Sequence, residues 1–219
     1  MAAHRITLIH ATAVSMAPTA DAFTELWPEA ETANLLDDSL STDLAAAGET
    51  TPAIAGRIKA LARYGAEAGA DGILFTCSAF GAAIDAARRE LTIPVLKPNE
   101  AMIDDALDAG PGIVLLATFA PTIASMVAEF EEAAAERGVS FDLTPRHVPD
   151  AMAALGDGRA DVHDDLIARA AAEYGACDAL VLAQFSMARA HDMIGDVPGR
   201  RVVTSPRSAV LRMKSLLGA

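Results

Sequence analysis

Cys77 has the clearest capacity for chemistry in this chain. It stands in Thr76-Cys77-Ser78, at the end of the apolar run Gly72-Ile73-Leu74-Phe75 and just before a helical pattern from Phe80 to Glu90. Where a strand ends and a helix begins, free backbone amides and the helix dipole favour a thiolate, the form of cysteine that acts as base or nucleophile. Buried cysteines also serve as small apolar core residues. The strand-end position and the flanking hydroxyls set Cys77 apart from that use. Cys177 has the opposite setting: in Gly175-Ala176-Cys177-Asp178 it precedes its strand and reads as structural. With no CxxC pair and no metal-ligand spacing, the two thiols are judged separately rather than as a disulfide.

Other groups suited to holding a small anion follow the ends of further apolar runs. His10 closes the first run, where an imidazole can orient a carboxylate or act as an acid near neutral pH; the alternative is a partly buried histidine bonded to backbone. Thr12, Ser39, Thr76, Ser78, Thr118, Thr122, Gln184 and Ser186 are the remaining candidates for substrate binding. Threonines and serines at such places also act as turn and cap residues, and Asp37-Asp38-Ser39 reads equally well as a solvated helix cap. His147, His163 and His191 form no ligand triad, so no metal is expected. No GxGxxG, Walker, GxSxG or HExxH signature occurs, which leaves dinucleotide, nucleotide and serine-hydrolase chemistry without support.

These residues need elements to place them. Short β-rich runs (Ile6 to Ile9, Thr32 to Leu36, Gly72 to Phe75, Ile93 to Leu96) alternate with helical patterns (Asp21 to Leu26, Thr51 to Ala68, Phe80 to Glu90), which predicts parallel strands joined by crossover helices. The pattern restarts at Ile113-Val114-Leu115-Leu116. Laying Ala70–Cys77 on Cys177–Gln184 needs no gap, at an offset of 177 − 70 = 107. The same offset puts Ile6–Ile9 on Ile113–Leu116 and Val95-Leu96 on Val202-Val203. Three strands sharing one offset indicate a duplicated α/β unit. By that register the partner of Cys77 is Gln184, while Cys177 falls opposite Ala70.

The expected fold is therefore α/β, with two similar parallel-sheet lobes related by a pseudo-twofold axis. The first comprises residues 1–97 plus 208–219 and the second residues 98–207. Ligands of open parallel sheets collect beyond the carboxyl ends of the strands, so the site is expected between the two sets of strand ends.

Composition narrows the function classes. The chain has 219 residues and a formal charge of −13, which argues against nucleic acid and anionic membrane as partners, since both reward basic surfaces. Pro111 to Ala128 carries no charge over eighteen residues, close to a membrane-spanning length. Gly112, Thr118, Pro121, Thr122 and Ser125 instead mark a buried strand, a turn and a helix. His4-Arg5 followed by apolar residues only loosely imitates a signal peptide, and a cytoplasmic enzyme is expected.

Three segments then point to a family. Ile73-Leu74-Phe75-Thr76-Cys77-Ser78-Ala79 resembles the first cysteine motif of the aspartate/glutamate racemase superfamily, which includes hydantoin racemases, maleate isomerases and arylmalonate decarboxylases. Leu115-Leu116-Ala117-Thr118-Phe119-Ala120-Pro121-Thr122 is similar to the threonine-bearing loop of its second half. Asp178-Ala179-Leu180-Val181-Leu182-Ala183 is similar to the strand leading to its second cysteine. The resemblance implies a cofactor-independent, isomerase-type enzyme acting on a small carboxylate or amino-acid derivative, with Cys77 as thiolate base or nucleophile, in a homo-oligomer. It also implies two thiols facing the substrate from opposite sides, and here the chain departs from the pattern. Gln184 has no acid–base capacity near neutral pH, and an unassisted Ser186 is a poor base. A carbon–carbon lyase of the arylmalonate decarboxylase kind and a non-catalytic carboxylate-binding protein are the alternatives.

Overall fold

A computed structural model describes residues 3–195 and 197–219, which build two compact α/β units. The first spans Met1–Asn99 with Ala209–Ala219, the second Glu100–Ser208. In chain order the first unit contains β1 (Arg5–His10), α1 (Met16–Leu26), β2 (Glu31–Leu36), α2 (Ser39–Ala47), α3 (Pro52–Glu67), β3 (Gly72–Phe75), α4 (Gly81–Arg88) and β4 (Val95–Leu96). After α5 (Glu100–Ala109) the second unit continues with β5 (Gly112–Ala117), α6 (Pro121–Arg137), β6 (Asp142–His147), α7 (Ala151–Gly156), α8 (Ala160–Ala172), β7 (Ala179–Leu182), α9 (His191–Ile194) and β8 (Arg201–Thr204). Helix α10 (Ser205–Leu216) ends the chain. The two sheets have orders β2-β1-β3-β4 and β6-β5-β7-β8, and every strand pair is parallel.

The repeat read from the sequence is the register of the sheets. Ile6 pairs with Gly72 in one sheet, and Ile113 pairs with Ala179 in the other, both 107 residues further on. Ile73 pairs with Val95 as Leu180 pairs with Val202, again at that offset. A carboxylate is repeated with the strands. Asp71 Oδ2 accepts the Arg5 N–H at 2.8 Å, and Asp178 Oδ2 accepts the Gly112 N–H at 2.7 Å. Each aspartate satisfies the first amide of the central strand, which no neighbouring strand reaches.

Local sequence explains the elements. Thr51 caps α3, its hydroxyl accepting the Ile54 N–H at 3.3 Å, and Pro52 occupies the first helical position. Pro121 opens α6, and Gly138 closes it at φ 64°, a left-handed value that glycine adopts without strain. The uncharged stretch from Pro111 is thus strand β5, a turn and the start of α6. Among the described residues no helix is long and apolar enough to cross a membrane.

Alternate residues of the central strands point to opposite faces, so each sheet feeds two cores. In the first unit Ile73 and Phe75 pack with Ile58 and Ile84 on one face, and Ile6, Leu8 and Leu74 pack with Phe23 and Trp27 on the other. The second unit repeats this with Ile113, Leu115 and Val181 on one side and Val114, Leu116 and Leu180 on the other. Two helices are exchanged. Helix α5 follows β4, yet Met102, Ile103 and Ala106 pack into the second unit. Helix α10 follows β8, yet Ala209, Val210 and Met213 pack into the first. Gly72 makes the second contact possible: a Cβ there would lie 2.5 Å from the Met213 sulfur.

Candidate active site

Strand β3 ends at Phe75, and the Thr76 N–H still bonds the Ile9 carbonyl at 3.0 Å, extending the pairing with β1 by one residue. Cys77 follows in extended conformation (φ −129°, ψ 119°) and opens a 3-10 turn, Ser78–Phe80, that leads into α4. The thiol is half-buried and packs beside the apolar cluster around Phe75 and Phe80. Burial pushes its pKa up, and the backbone amide of Ala79 acts in the opposite direction without cancelling that effect. Desolvation of the Cys77 thiol thus outweighs the expected helix-start stabilisation of a thiolate. A three-residue 3-10 turn directs little of a helix dipole at the sulfur, while desolvation penalises the anion directly.

Gln184 stands in the same place in the second unit. It too is extended (φ −119°, ψ 149°), lies two residues beyond its strand, and opens a 3-10 turn, Phe185–Ala190. Its carboxamide oxygen accepts the Thr118 N–H at 3.0 Å and lies 3.5 Å from the Thr118 hydroxyl. Its NH2 group donates to the Thr122 hydroxyl at 3.2 Å. Three predicted residues thus meet in one cluster. His147, at the end of β6, joins it through a 3.3 Å contact from Nε2 to the Thr118 carbonyl. Ser186 is buried in the turn.

His10 and Thr76 also meet, in a way the sequence did not disclose. The His10 ring is fully buried, and Nδ1 lies 2.8 Å from the Thr76 hydroxyl and 3.1 Å from that of Ser15. Nε2 lies 2.9 Å from Asn34 Oδ1. Burial holds the imidazole below its ordinary pKa of 6.5, and the Asn34 bond opposes the shift. The ring is neutral at neutral pH, so Nε2–H donates to Asn34 and Nδ1 accepts a hydroxyl proton. The two hydroxyls are 2.8 Å apart, and that of Ser15 is also 3.0 Å from the Thr12 carbonyl. Both nitrogens of the buried ring are thus engaged, and by side chains rather than by backbone.

The remaining candidates separate. Thr12 is half-buried and enters the network through its carbonyl, and Ser78 is exposed on the turn after Cys77. Ser39 is exposed at the start of α2, where it donates to Asp37 at 2.6 Å and accepts from Arg57. The Ser39 hydroxyl first, and Arg57 with it, hold the Asp37 carboxylate below its usual range. Ser41 reaches the Ala11 carbonyl at 2.8 Å and braces the β1 turn instead. Cys177 is half-buried before β7 and donates weakly to the Tyr174 carbonyl at 3.7 Å. Among the described residues no group of three His, Cys, Asp or Glu side chains is placed to hold a metal ion. Of the residues that sequence reasoning missed, Ser15 carried a signal, since the offset of 107 lays it on Thr122. Asn34 carried none.

A duplicated parallel α/β scaffold with a thiol at one strand end matches a known class of enzyme. The family model for Asp/Glu/hydantoin racemase matches residues 10–213, and the chain belongs to that family. It is an isomerase-class enzyme by that membership. No curated protein matches the sequence. Among solved structures, allantoin racemase from Klebsiella pneumoniae superposes with a TM-score of 0.73 at 18% identity, over 99% of this chain and 88% of that one. An aspartate racemase homologue from Pyrococcus horikoshii OT3 gives 0.72 at 16% identity over the whole of both chains. A mutant of arylmalonate decarboxylase in a sulfate-associated form gives 0.63 at 19% identity, over 98% of this chain and 94% of that one. At these identities the likeness is one of fold.

Proposed function

We propose that this enzyme moves a proton at the α-carbon of a small carboxylate or amino-acid derivative, or adds to its double bond, with Cys77 as the sole thiol and without a cofactor. The observation that carries this reading is the pair of equivalent strand ends, one bearing Cys77 and the other Gln184 bound to Thr118 and Thr122. A carboxamide neither accepts nor releases a proton near neutral pH, so Gln184 itself supplies no proton transfer at the second position. In the proton-transfer form, the thiolate removes the α-proton and becomes a thiol. The bonding pair enters the carboxylate as an enediolate, and the same thiol returns a proton. Burial of Cys77 raises the basicity of the thiolate once formed, which suits removal of a weakly acidic proton. Hydroxyls and backbone amides at the strand ends are the donors available to a developing oxyanion.

The test is exchange in D2O with a panel of amino acids, hydantoins and unsaturated dicarboxylates. The native enzyme incorporates deuterium at the α-carbon, or isomerises the double bond, of at least one of these. Cys77→Ser lowers that rate by about a thousandfold or more. Full turnover in Cys77→Ser would exclude the thiol as base and nucleophile. Incorporation that outpaces inversion supports one-thiol chemistry, whereas equal rates point to a second proton carrier.

A further inference from the structure

We propose that His10, Thr76, Ser15 and Asn34 form a positioning network that fixes the strand end carrying Cys77; this rests on Cys77 being the reactive thiol. The duplication supplies an internal comparison. At the offset of 107, His10 corresponds to Ala117 and Thr76 to Ala183, and both alanines are buried in the second unit's apolar core. The second sheet keeps the same β5–β7 register with those alanines that the first keeps with His10 and Thr76. The scaffold therefore folds without polar groups at these two positions. Burying an imidazole and two hydroxyls is unfavourable unless each finds a partner, so the first unit carries a demand that its twin avoids. The polar set occurs in the unit with the thiol.

The geometry states what the network does. The backbone of Thr76 is tied to Ile9, and its hydroxyl is held by His10 Nδ1 at 2.8 Å and by Ser15 at 2.8 Å. The residue before Cys77 is thereby fixed through main chain and side chain at once. His10 is itself fixed by Asn34 across the β1–β2 pair, and Ser15 by the Thr12 carbonyl in the turn after β1. His10 and Ser15 thus meet on the Thr76 hydroxyl, each held in turn by a second partner. The orientation of Cys77 then follows from Thr76, since only the Thr76 ψ, a planar peptide and the Cys77 φ separate them. His10 acts through Thr76, as a positioning residue.

Alkylation separates positioning from bulk stability. In a Cys177→Ser background iodoacetamide reports Cys77 alone, and its rate is measured from pH 6 to 10, with urea unfolding in parallel. Thr76→Val, which removes the hydroxyl and keeps the volume, frees the strand end and exposes the sulfur. Alkylation at pH 8 rises about tenfold, while α-exchange turnover falls by a similar factor. Thr76→Ser keeps the hydroxyl and the native profile. Asn34→Ala, on an exposed strand and harmless to the core, raises alkylation about threefold by releasing His10. Alkylation within twofold of native in both Thr76→Val and Asn34→Ala overturns the proposal, as does an equal rise in Thr76→Ser. Should Thr76→Val not fold, Asn34→Ala decides alone by the same criterion. If these rates respond but Cys77→Ser keeps full turnover, the positioning stands and the catalytic reading falls.

Discussion

The Gln184 carboxamide spends its oxygen on the Thr118 amide and its NH2 on Thr122, so the second strand end holds itself closed with neutral hydrogen bonds. In the first unit the equivalent of Thr122 is Ser15, which turns to Thr76 and His10, while the Cys77 sulfur has the Ala79 amide beside it. One scaffold position thus carries an amide that braces a turn and, in the twin unit, a group that can react. The buried histidine gives a pH signature. His10 has its folded pKa below the unfolded value of 6.5, so the unfolded chain binds more protons below that pH. Stability from keeping the ring neutral is complete above about pH 6.5 and is lost as pH falls toward the folded pKa. Urea unfolding at pH 7 and pH 5 is expected to show this loss, and His10→Gln to show a smaller difference between the two. An unchanged difference would place the acid sensitivity elsewhere.

At the scale of elements, the paired aspartates show what each strand requires. Asp178 satisfies the first amide of β5 and sits against Gly110, where a Cβ would lie 2.5 Å from its carboxylate carbon. Asp178→Ala leaves the Gly112 N–H without its partner and is expected to cost about 1–3 kcal/mol in urea unfolding, with Asp178→Asn recovering part of it. This pairing was legible in the sequence as part of the ungapped repeat, because Asp71 and Asp178 precede strands whose apolar runs align. Among the edge strands, β2 was legible at Thr32 to Leu36 although nearly all of it is exposed, whereas β6, with Pro145 half-buried and Arg146 exposed, offers no apolar pattern and was not legible. β6 also leaves the offset, since Gly112 pairs with Asp142 where Arg5 pairs with Glu31, and 142 − 31 = 111. The site divides along the same line. Cys77, Thr118, Thr122 and Gln184 stand where apolar runs stop, which a sequence displays. The role of Asn34 depends on the register of an exposed strand against β1, and composition carries no record of that.

For the molecule as a whole, the exchanged helices matter more than the charge of −13, which serves solubility. Met213 is fully buried among Ile6, Leu8, Trp27 and Leu74 and closes over Gly72. Met213→Ala is expected to cost about 2–4 kcal/mol, measured as a lower urea midpoint, because the fitted space at Gly72 cannot collapse around a smaller side chain. A cost under about 1 kcal/mol would mean that α10 is only loosely applied. The same helix sets a timetable. A ribosome releases β1 to β4 early, with Ile6, Leu8 and Leu74 lacking part of their cover until residues 209–219 emerge, whereas the second unit holds all its strands and α5 before that point. The half of the protein that bears the thiol is translated first and completed last. Its newborn sheet must wait, apolar face open, in a crowded cell, and that interval is where chaperones or aggregation would meet this chain.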